Sequence, residues 1–126
     1  MREEARDNII QANADAKTAR DNKKNKNYYA SVFFSQQTAE KSLKALYLVK
    51  KSNYPEKTHN LIKLSLELNA PKEVVEASET LTPAAVLTRY SDVLGMPPVK
   101  YYTKEMAENS IKIAGVIVTW VKLQLK

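Results

Sequence analysis

The chain has 126 residues, with 20 Lys and Arg against 14 Asp and Glu for a net charge of +6, 44 % apolar and 27 % charged. That balance excludes wholesale disorder and suits one domain, residues 1–126, with a single compact core. The absence of Cys excludes a disulfide scaffold, a thiolate metal site and a thiol nucleophile; two Gly are too few for a phosphate-cradling loop, and one His, His59, cannot form a His cluster. No metal or other cofactor is expected. The charge is uneven: residues 1–63 carry 13 basic and 7 acidic groups, and residues 64–126 carry 7 of each. A field of this kind attracts polyanions, although a solvated face would have the same composition. No stretch reaches the ~18–20 apolar residues of a bilayer span. The first ten residues, MREEARDNII, lack the apolar middle of an export signal. A cytoplasmic protein with no membrane contact is the expectation.

In chain order, residues 2–22 place Ala5, Ile9, Ala12, Ala16 and Ala19 on one face of a helix. The stripe is mostly Ala, so a partner helix can approach closely. The run NKKNKN at 22–27 reads as an exposed turn. Residues 28–51 form a second helix, with Tyr29, Val32, Phe33, Gln36, Ala39, Leu43, Leu46 and Tyr47 on one broad face. Glu40 and Lys44 are spaced i, i+4 in the favourable order. Lys50 and Lys51 suit the negative end of the helix dipole. Ser52 to Pro55 ends the element.

Residues 58–69 are open to two readings, since Ile62, Leu64, Leu66 and Leu68 alternate like a strand while Leu61, Leu64 and Leu68 fit a helix. Helix is preferred, because Thr58 can cap it and a lone strand would leave its backbone unpaired. Residues 72–87 start as a helix that Pro83 kinks or restarts, with Thr82-Pro83 as cap and first turn. LGMPPVKYY at 94–102 should be a loop. Residues 103–125 form the last helix, with a narrow polar or small stripe at Glu108, Lys112, Gly115, Thr119, Lys122 and Lys126. The remaining arc is apolar, which predicts burial on more than one side, the second side being a subunit interface. The fold class expected is all-α, an up-and-down bundle of four to five helices.

Four segments occur in a telling order: Phe33 to Ala45 (FFSQQTAEKSLKA), Lys57 to Leu64 (KTHNLIKL), Thr88 to Asp92 (TRYSD), and Tyr101-Tyr102 ahead of the last helix. This arrangement resembles the HEPN domain family (higher eukaryotes and prokaryotes nucleotide-binding) in its short stand-alone prokaryotic form, over nearly the whole chain. The resemblance implies a helical bundle that forms a homodimer. It also implies either RNase chemistry, from an Arg followed four to six residues later by His, or partnership with a small nucleotidyltransferase in a toxin–antitoxin arrangement. Arg89 matches the family's Arg. The His position falls on Leu94, Gly95 or Met96, and Ser91 stands where the family has Pro, so the chain departs from the catalytic pattern.

The candidate binding residues are Arg89, Tyr90, Asp92, Gln36, Glu40 and His59; Arg89 and His59 are the only catalytic candidates. Arg89 can hold phosphate bidentately while Tyr90 stacks on a base, or it can pair with Asp92 or Glu40 and fix the loop. Gln36 and Glu40 lie on or beside an apolar face and must be paired. His59 is either a general base or phosphate contact, or a structural residue in the first turn of the third helix. The Tyr and Phe residues of the second helix read as core. Two functions of different class follow. The first is a dimeric module that binds nucleotide, RNA or a nucleotidyltransferase, and the second is a metal-free RNase with a remodelled site. A pure assembly protein is a third.

Overall fold

The Ala stripe and the capping signals become helices in the computed structural model, which describes residues 2–126. Five elements span seven residues or more: α1 (Glu3–Lys24), α2 (Tyr28–Lys51), α3 (Leu61–Glu67), α4 (Lys72–Leu81) and the last helix, α8 (Lys104–Gln124). Between α4 and α8 run three single turns, α5 (Ala84–Leu87), α6 (Ser91–Leu94) and α7 (Pro98–Tyr101). The result is the expected all-α, up-and-down bundle, with no strand among the described residues. Among those residues no helix is long and apolar enough to cross a membrane.

Ala5, Ala12 and Ala19 are buried. Side chains this small let α1 lie so close to α2 that Ser31 Oγ donates to the Ala19 carbonyl at 2.7 Å. At the turn between the two helices, Asn27 N–H donates to Asn22 O and Lys26 N–H to Lys23 O. That pairing satisfies the last carbonyls of α1 and puts Lys26 in the left-handed region at φ 65°.

The strand alternative at 58–69 fails, because residues 61–67 are helical. Its cap is not Thr58 but Asn60, whose side chain accepts from Lys63 N–H. Thr58 Oγ1 instead accepts from Asn60 N–H and shapes the approach to the helix. A break does occur at Thr82-Pro83, but Thr82 does not cap α5. Its hydroxyl donates to Ser78 O and accepts from Leu61 N–H, so it satisfies an orphan donor of α3 from across the bundle. Within the expected loop 94–102, Pro98 opens the single turn α7, since a ring at the first helical position gives up no needed N–H.

The main core joins Ala39, Leu43 and Leu46 of α2, Leu61 and Leu64 of α3, Val74, Ala77 and Leu81 of α4, and Ala114, Ile117 and Val121 of α8. Each fully buried Leu stabilises the bundle by roughly 1.5–3 kcal/mol. The helix buried on most sides is α2 rather than α8. Ser31, Ser35, Thr38, Ser42, Ala45 and Leu48 are buried as well as its apolar face. Small residues on that second face made it inconspicuous to hydropathy. On α8, Val116 and Leu123 remain 40 % and 57 % exposed.

Candidate functional site

Two clusters of polar and aromatic side chains sit along α2. Gln36 and Glu40 are one turn apart on the same helical face, so both point to where the segment after α2 returns toward α3. That return brings His59 to them. His59 Nδ1 lies 2.7 Å from Glu40 Oε1. Gln36 Nε2 donates to Glu40 Oε1 at 3.1 Å and to the His59 carbonyl at 3.3 Å. Lys44 Nζ meets Glu40 Oε2 at 3.0 Å, and Gln37 Nε2 donates to Gln36 Oε1 at 2.7 Å.

Glu40 is only 5 % exposed. Burial, the largest influence, pushes its carboxyl up, but hydrogen bonds from His59, Gln36 and Lys44 together outweigh it and hold the group below its ordinary value. An ionised carboxylate can only accept, so His59 Nδ1 carries the proton in this contact. Nε2 has no hydrogen-bond partner among the described residues, and the His59 side chain is 53 % exposed. His59 is not in the first turn of α3; it stands ahead of the cap, in non-helical backbone.

The second cluster is built on the end of α5. Thr88 is buried, with its hydroxyl donating to Ala84 O at 2.5 Å. Arg89 Nε donates to Ala85 O at 2.6 Å. Its guanidinium lies over the Phe33 ring at 5.2 Å and over the Tyr90 ring at 5.4 Å. No carboxylate lies within 4 Å of Arg89 among the described residues, so the alternative in which it pairs with Asp92 or Glu40 does not form. Asp92 sits apart in the exposed first turn of α6. The Leu94–Met96 segment, where the resemblance places a catalytic His, ends α6, with Gly95 at φ 87°.

Of the six sequence candidates, Gln36, Glu40 and His59 thus meet, Arg89 and Tyr90 meet, and Asp92 joins neither. Phe33 precedes Gln37 by four residues, about 6 Å along the axis, so the two clusters adjoin on α2. Sequence reading missed Phe33, which looked like core. Its signal was the polar Gln37 four residues on, on the same helical face. Also missed was Asp15, which is 3 % exposed and paired with Lys41 Nζ at 2.6 Å and Gln11 Nε2 at 3.0 Å. A charge between Ala12 and Ala16 on the α1 stripe was the clue to that contact.

The HEPN domain family model matches residues 5–124. Two solved structures share the fold closely. TT1696 from Thermus thermophilus superposes with a TM-score of 0.88 at 28 % identity, over 95 % of this chain and 97 % of that one. ST0689, described as an archaeal HEPN homologue, superposes with a TM-score of 0.84 at 32 % identity, over 97 % of this chain and 98 % of that one. No curated protein matches the chain.

Proposed function

The chain belongs to the HEPN domain family, and from that premise we propose that it is a binding module for nucleotide or RNA, with its ligand site on the Arg89 side of α2. One observation carries this reading. Arg89 is held by its backbone contact and two aromatic rings, not by a carboxylate. Its terminal N–H groups therefore remain available for bidentate phosphate binding, and Tyr90, 48 % exposed, offers a ring face for a base. The lysines of the first half strengthen the attraction for a polyanion.

A second reading, metal-free RNA cleavage, is favoured by the Glu40–His59 contact. The carboxylate orients the imidazole, and Nε2 could take the 2′-hydroxyl proton as that oxygen attacks phosphorus. The departing 5′-oxygen then needs a proton donor. Lys44, the cation of the cluster, is engaged by Glu40 Oε2, and positions 94–96 supply no His. Loss of a general acid or base costs roughly 10²–10⁴-fold in rate. Incubation of RNA with the protein in chelator is therefore expected to show binding without substantial cleavage. Cleavage that disappears in both His59→Ala and Arg89→Ala, with folding intact, would establish the nuclease instead.

The proposal includes a homodimer. Its support is the outer face of α8, where Val116 and Leu123 stand exposed near half-buried Ile113 and Trp120. Static light scattering at micromolar concentration should give twice the 14.3 kDa chain mass. A monomer at that concentration would end the dimer proposal.

A further inference from the structure

A second cluster of cations lies away from Arg89, where α1 ends, α2 begins and α8 begins. Lys23, Lys24, Lys26, Tyr28, Lys104 and Glu108 line an open depression of about 440 Å³ there. Its four lysines face a single carboxylate. Glu108 is shared between Lys23 at 3.8 Å and Lys104 at 3.9 Å, both long contacts. Lys24 and Lys26 have no carboxylate within 4 Å among the described residues. The depression thus carries three positive charges in excess.

Two of these lysines occupy positions that local stability disfavours. Lys26 adopts φ 65°, at the place after a helix where glycine is the usual residue. Lys104 is the first residue of α8, where a cation opposes the helix dipole. Lys23 and Lys24, by contrast, suit the end of α1, so the dipole accounts for them but not for the other pair.

The depression and the Arg89 site flank one apolar cluster. Tyr28, which rims the depression, and Leu94, which closes α6 behind Tyr90, both pack against Val32, Ala84, Tyr102 and Ala107. Both cationic sites therefore border the same apolar cluster. We infer that the lysine depression holds the sugar–phosphate backbone of a single RNA strand that continues to Arg89, so that the ligand is an oligonucleotide rather than a mononucleotide. This rests on the reading of Arg89 as a phosphate site. A mononucleotide would fill only the Arg89 site; a strand engages both.

The test uses the full chain, a short single-stranded RNA of unstructured sequence, and AMP. The triple variant Lys24→Gln, Lys26→Gln, Lys104→Gln changes exposed side chains only, and its thermal denaturation serves as the folding control. RNA affinity should fall roughly 10- to 100-fold at 0.1 M salt, and the slope of log K against log salt should flatten by about 2, from ~0.7 per lost phosphate contact. AMP binding should be unchanged. Unaltered RNA affinity and slope in the folded triple variant would overturn the inference, as would a wild-type protein that binds no RNA. If Arg89→Ala leaves RNA binding intact while the triple variant loses it, the Arg89 reading fails and the lysine site stands as the RNA contact. If only Arg89→Ala loses binding, the lysine site falls and the Arg89 reading is kept.

Discussion

Replacing Glu40 with alanine is expected to destabilise the protein by about 2–3 kcal/mol. The carboxylate accepts from His59, Gln36 and Lys44. Without it the Gln36 amide, which is fully buried, loses one of its acceptors. Lys44 and His59 are partly exposed and regain water, so the loss falls below the roughly 3–5 kcal/mol of a fully buried broken pair. Against a total stability of about 5–15 kcal/mol this is a large fraction. Urea denaturation at neutral pH measures it directly, and a stability within about 0.5 kcal/mol of wild type would contradict the account.

The pH dependence follows from the same carboxyl. Its folded value lies below its ordinary 4.5. A depressed carboxyl contributes stability that is fully present above the unfolded value and is lost as pH falls through the folded one. The gap between wild type and Glu40→Ala should therefore narrow as pH drops below 4.5. A gap that widens as pH falls below 4.5 would reverse the sign and refute the assignment of Glu40 as ionised.

Arg89→Ala is expected to weaken RNA or nucleotide binding by about 2–3 kcal/mol, roughly 30- to 150-fold in Kd. The stability change should be small, because Arg89 is exposed and pairs with no carboxylate. Arg89→Lys should recover little of the binding. An ammonium keeps the charge but loses the planar fork that binds phosphate bidentately and lies over Phe33 and Tyr90. Full recovery by Lys would reduce the site to simple charge attraction. Isothermal titration with all three proteins, alongside their thermal melts, separates loss of binding from loss of fold.

Helix positions were legible because their causes are local. The period of Ala5, Ala12 and Ala19, Pro55 after α2 and Pro83 within 72–87 each act within a turn or two. The resemblance in FFSQQTAEKSLKA and TRYSD pointed to the family for a related reason: these segments include the α2 face and the end of α5 on which both clusters are built. Periodicity also showed that Gln36 and Glu40 needed partners, since polar groups on a buried face cannot go unpaired. It could not say which partners. His59 reaches Glu40 by the path of a non-helical segment, and Arg89 lies over Phe33 rather than meeting Asp92 because its Nε is tied to the Ala85 carbonyl. The cap of α3 shows the same division. Thr58 and Asn60 are both good caps locally, and the chain entering from α2 decided for Asn60. Which helix is central was likewise a tertiary matter. Close approach of α1 buries the small polar face of α2, Ser31 to Ser42, through backbone contacts that hydropathy does not register.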